Sequence, residues 1–168
     1  IRYARCDSKM FESIMEPILQ LVKSNDIANR QLSIAMADLL ATKTKDTSFF
    51  KKLVTSLLSY LKGAGLGVPE KSSLFQSLQK ILNTPIPPSD FEDSALQVYN
   101  ALEYIIQSKV GSEQTRREAS EVAVAWMIKF NKAHNSLINT FSGIMDREKT
   151  ENVLKFVLKS LGDLTTTN

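Results

Sequence analysis

Residues 14–40, IMEPILQLVKSNDIANRQLSIAMADLL, constrain the fold more than any other part of the chain. Ile14, Ile18, Leu21 and Val22 recur at helical spacing on one face, and the pattern breaks at Ser24-Asn25-Asp26. It resumes with Ile27, Ala28, Ile34, Ala35 and Leu39 as a second apolar face. Asp26 stands where an N-cap is needed, because its carboxylate can accept bonds from the unpaired N–H groups of the next turn. Neither helix can bury its stripe alone, so each needs a neighbour.

The same pattern continues to the end. The spacing predicts helices over 8–23, 26–42, 47–62, 70–82, 89–109, 112–130, 135–145 and 146–161, which is four hairpins. Pro17 removes one hydrogen bond inside the first helix and should kink it or mark a restart. The third carries Phe49, Phe50, Leu53, Val54, Leu57, Leu58 and Leu61 inward, and the fourth Leu74, Phe75, Leu78, Ile81 and Leu82. The fifth turns Leu96, Val98, Tyr99, Leu102, Ile105 and Ile106 to the core, with one of Tyr99 and Tyr104 left to solvent. The sixth uses Ala119, Val122, Ala123, Trp126, Met127 and Phe130, and Ser112 suits its start. The last uses Val153, Leu154, Val157, Leu158 and Leu161. The breaks are glycine-rich at 63–69 and proline-rich at 83–90, where three prolines in four residues impose an extended connector. No stretch alternates with period two, so no strand is expected.

At 168 residues one domain is the natural expectation, with 43% hydrophobic and 23% charged residues, enough for a sizeable core. The net charge of +3 is too small and too dispersed to mark a nucleic-acid or membrane surface by itself. Cys6 is the only cysteine, which excludes an internal disulfide and a cysteine-based zinc site and favours an intracellular compartment, cytoplasm or nucleus. No apolar run approaches the ~20 residues of a membrane span. The chain opens at Ile1 with no signal-like segment and is read as a piece of a longer polypeptide.

In several features PILQLVKSNDIANRQLSIAMADLL resembles a HEAT repeat. Pro17 lies in the first helix, the turn is short and polar, Arg30 comes early in the second helix, and Ala35 and Ala37 precede Leu39-Leu40. A second copy is visible as GSEQTRREASEVAVAWM, with Arg116 or Arg117 in the arginine position and Ala119, Ala123 and Ala125 as the small residues. The pair spanning 47–82 departs from the pattern, since its turn is long and glycine-rich and it has no matching arginine. The last pair matches only as a short hairpin. The resemblance implies a HEAT/armadillo-like right-handed solenoid segment, in which the arginine bonds the turn and fixes the angle between hairpin helices. A closed helical bundle is the alternative that the same periodicity allows.

No catalytic constellation can be assembled. Gly63, Gly65 and Gly67 follow a helix, not a strand, and lack the dinucleotide spacing. Glu70 stands where a phosphate loop needs glycine before Lys71-Ser72, so the stretch is expected to be a passive connector. His134 sits among Asn131, Lys132 and Asn135 with no nucleophile nearby, and Cys6 has no base partner. No clustered ligands suggest a metal, and no cofactor is expected.

The expectation is therefore an all-α, non-catalytic scaffold or protein-interaction module with a protein partner and no membrane role. Candidate partner-binding residues are Trp126, Phe156, Lys155, Lys159, Arg116 and Arg117, with Trp126 alternatively a core anchor and the cations a solvated face. The alternatives are a closed helical adaptor that binds a short peptide, and a nucleic-acid-associated repeat segment that uses basic turns. Phe156 is nearly 200° around its helix from Leu154 at 3.6 residues per turn. It is therefore expected on a second, partly exposed apolar surface, and Phe156→Glu is expected to abolish weak self-association. If the first pair is HEAT-like, Arg30→Ala will destabilise the chain by about 1–3 kcal/mol in a urea melt, the usual loss for a charged hydrogen bond.

Overall fold

The computed structural model describes residues 8–22, 24, 26, 28–29, 31–33, 35–36, 47–62, 65–83, 91–109, 111–130 and 134–166. The described residues are all-helical, with no strand among them. The helices are α1 Ser8–Val22, α2 Thr47–Leu61, α3 Val68–Leu82, α4 Glu92–Gln107, α5 Glu113–Phe130, α6 His134–Met145 and α7 Glu151–Thr165. Residues 28–29, 31–33 and 35–36 are helical as well. Arg30, Ile27, Ile34, Ala37, Leu39, Cys6, Gly63, the connector at 84–90, and the side chains of Phe49, Phe50 and His134 lie outside what is described.

Local chemistry explains the starts and stops. Asp26 Oδ1 accepts the Ala28 N–H at 2.9 Å, the capping bond expected of it. Ser112 Oγ accepts the Thr115 N–H at 3.1 Å at the start of α5. Gly65 takes φ +89°, in the left-handed region that glycine tolerates, and reverses the chain after α2. Helix α3 begins at Val68 with Pro69 in its first turn, where the missing N–H costs nothing. Helix α1 runs through Pro17 without interruption.

Several faces are rotated from those expected. In α1 the inward stripe is Met15, Ile18 and Leu19, with Ile14 and Leu21 half-buried. Between residues 28 and 36 Ser33 is buried, while Ala28 and Ala35 are exposed, because small residues at helical spacing do not fix a face. Leu96 is 48% exposed, since Ala95, Val98, Tyr99, Leu102 and Ile106 set the inward direction of α4. The last helix starts at Glu151, five residues later than expected, and buries Leu164 beyond the expected end.

Helices pack in two series. In the first, α1 meets α2, α2 meets α4, and α4 meets α6; in the second, α3 meets α5 and α5 meets α7. Cross-links join α2 to α3, α4 to α5, and α6 to α7. Helix α5 is the hub, touching α3, α4, α6 and α7. Ala119 and Ala123 are fully buried and allow close approach, while Trp126, Met127 and Phe130 supply bulk. Trp126 packs 6.4 Å from Phe91 and 5.1 Å from Phe130, and Phe91 stacks on Phe130 at 5.9 Å. Its indole N–H donates to the Leu78 carbonyl at 3.1 Å, and the Lys129 ammonium donates to the Leu82 carbonyl at the end of α3. Burial lowers the pKa of Lys129. On the other side Glu103 Oε1 lies within 2.8 Å of Tyr99 Oη, 2.9 Å of Thr140 Oγ1 and 3.1 Å of Gln107 Nε2. That cluster fastens α6 to α4.

Trp126→Ala removes the centre of this cluster and is expected to destabilise by about 3–5 kcal/mol in a denaturant titration. Trp126→Phe keeps most of the volume but leaves the Leu78 carbonyl without its indole donor, for an expected loss of about 1–3 kcal/mol.

Candidate interaction surface

The residues singled out in the sequence separate into two groups. Trp126 is fully buried and anchors the core, so it is not a surface residue. Arg116 is also buried. Its Nε donates to the Ile106 carbonyl at 3.0 Å and its Nη1 pairs with Glu148 at 2.9 Å. The guanidinium thus bonds a carbonyl at the end of α4, left without a helical partner there, and the turn between α6 and α7. Both printed bonds of this buried side chain thus go to turns and helix ends of the chain itself.

Glu148 explains the late start of α7. Its Oε1 accepts the N–H groups of Lys149 and Thr150 at 3.0 and 3.1 Å, and its Oε2 takes Arg116. A carboxylate so used holds residues 146–150 as a turn. The Arg116 bond first, then the bonds from Thr150, hold its pKa at about 2, well below the usual carboxylate value. Nothing in the sequence marks this pair, because 32 residues separate its members.

Phe156 is 8% exposed, so the expected second, exposed apolar surface does not lie there. Val153, Val157, Ser160 and Leu164 set the inward direction, and Phe156 turns from it toward α5. The exposed apolar residue of α7 is Leu158, at 54%, with Leu154 and Leu161 half-buried beside it.

The other three candidates converge. Arg117, Lys155 and Lys159 are exposed and line one groove between α5 and α7. Its two adjoining cavities, of about 610 and 480 Å³, share Phe156 and Lys159. Val124, Ile128 and Phe156 form the floor. Glu113, Glu121 and Asp163 lie on the same rim, so the groove carries both signs of charge. Lys155 pairs with Glu151 at 2.7 Å, but both side chains are well exposed, and such pairs contribute little. The groove can therefore seat apolar side chains along its floor and oppositely charged ones along its rim.

No group of three or more potential metal ligands occurs among the described residues, and no described helix is long and apolar enough to cross a membrane. No protein-family model matches the chain, and no curated protein matches it in sequence.

The depressed pKa of Glu148 sets a pH dependence. Its folded value lies below its unfolded one, so its contribution is complete above about pH 4.5 and fades as the pH falls toward 2. Comparison of urea midpoints at pH 7 and pH 3 should show a loss of about 1–3 kcal/mol from this group, after allowance for partial solvent screening. Glu148→Gln should lack that component while remaining less stable than the parent at pH 7.

Proposed function

We propose that the chain is a HEAT-like α-solenoid segment serving as a non-catalytic, intracellular protein-interaction module. One observation carries the reading: helices pack against their second neighbours in two series, joined by cross-links within each hairpin. Stacked hairpins bury their apolar faces in this way, each against the next. The buried arginine of GSEQTRREASEVAVAWM, bonded to the preceding helix end and to the next turn, supports the same reading.

The work of such a module is surface presentation. The groove between α5 and α7 offers an apolar floor at Val124, Ile128 and Phe156 and a rim of mixed charge, which suits an extended or helical protein segment. Its carboxylates disfavour a polyanion, so a protein partner fits better than nucleic acid.

Native-state hydrogen exchange tests the architecture. A stack of near-neighbour contacts should open from its ends, with α4 and α5 protected longest and α1 and α7 exchanging at lower opening free energy. Equal protection of all helices, lost in one step, would support the closed bundle instead.

A further inference from the structure

A second concavity, of about 420 Å³, lies between α2 and α4 beside the start of α3. Its apolar wall comes from Leu61, Leu66, Ala101 and Ile105. Leu66 reaches this place because the chain reverses at Gly65, and it packs against the core. Tyr104 stands at the edge with 81% of its surface exposed, the largest exposure of any bulky apolar or aromatic residue described. The remaining lining is Lys62, Gly65, Lys71 and Asn100.

The charge here differs in kind from that of the groove between α5 and α7. The charged residues of its lining are all of one sign: Lys62 and Lys71 line it, and no carboxylate does. Glu70, the nearest acid in sequence, has its carboxylate over Gly67 instead. Among the described residues neither lysine is in an ion pair. The concavity thus joins an apolar wall, an exposed phenol ring, a side-chain amide and two cations of one sign.

We propose that this concavity binds a short acidic peptide segment. One aliphatic side chain of the peptide lies on Leu61, Leu66 and Ile105 beneath Tyr104, and flanking carboxylates meet Lys62 and Lys71. Tyrosine gives a rigid contact surface at little entropic cost, and Asn100 can bond a peptide backbone group. The volume is of the size that accepts a ligand group. A nucleic-acid strand is the poorer fit, since it needs a continuous cationic track and successive stacking platforms. Here there are two lysines and one exposed ring. The proposal rests on the interaction-module reading, but it depends only on local packing of α2, α3 and α4.

The test uses the whole chain and a fluorescein-labelled hexapeptide, Asp-Glu-Leu-Glu-Asp-Glu, in an anisotropy titration. Controls are the amide peptide Asn-Gln-Leu-Gln-Asn-Gln and a labelled oligothymidylate. Saturable binding of the acidic peptide alone is expected. The double variant K62E/K71E should weaken it by about tenfold or more, and Tyr104→Ala by severalfold, with affinity falling as salt rises. The double variant K51E/K52E changes the net charge equally at exposed positions of α2 roughly 15 Å from Lys62 along the helix axis. It should leave binding within about twofold. Absence of saturable binding, equal loss in K51E/K52E, or equally tight oligothymidylate binding would overturn the proposal. Tyr104→Ala, at a well-exposed position, keeps the test decisive if K62E/K71E does not fold. Exchange protection measured on the same samples reports separately on the stacked architecture, so either idea can fail without the other.

Discussion

Every helix end leaves backbone carbonyls without helical partners, and in this chain α5 answers that need for two neighbours at once. Lys129 reaches the Leu82 carbonyl at the end of α3, and Arg116 reaches the Ile106 carbonyl at the end of α4. Both cations sit where the helix dipole favours positive charge. Between them, Trp126 donates to the Leu78 carbonyl while its ring fills the space among Phe91, Phe130 and Met127. Polar satisfaction and apolar burial are thus met by one helix. The helices that α5 touches, α3, α4, α6 and α7, take their positions from that fact.

The neighbours Arg116 and Arg117 show how little separates structure from surface. A helix turns by about 100° per residue, and that rotation places one guanidinium in the interior and the other on the groove. Arg116 is acceptable inside because its Nε bonds the Ile106 carbonyl and its Nη1 pairs with Glu148. Among the described residues no buried side-chain nitrogen or oxygen lacks a partner. The core is therefore spent on holding the helices together, and the concave surface of the described residues lies in the grooves between them.

Those grooves differ in size and charge. The one between α5 and α7 is long, apolar at its floor, and lined by Arg117, Lys155 and Lys159 against Glu113, Glu121 and Asp163. Mixed charge of this kind favours register and specificity over raw attraction. The one beside Tyr104 is smaller and of a single sign. Each groove lies where two helices of one series meet, and the residues on its rim set its character.

By itself the sequence determined the helical class, most element bounds and most of the core, because apolar spacing and capping are local. Asp26 and Ser112 cap where they were expected to, and the buried sets of α3 and α5, with Leu53, Val54, Leu57, Leu58 and Leu61 of α2, follow the spacing. Tertiary structure decided the rest. It rotated α4 so that Leu96 is outside, and α7 so that Phe156 is inside and Leu158 outside, because a helix with apolar residues on more than one side is oriented by its neighbours. It delayed α7 to Glu151 because Arg116, 32 residues before Glu148, claims that carboxylate for a turn. It also separated Trp126 and Arg116 from Arg117, Lys155 and Lys159. Residue type shows which groups can anchor or recognise, but burial depends on contacts between helices far apart in the chain, and local spacing does not encode them.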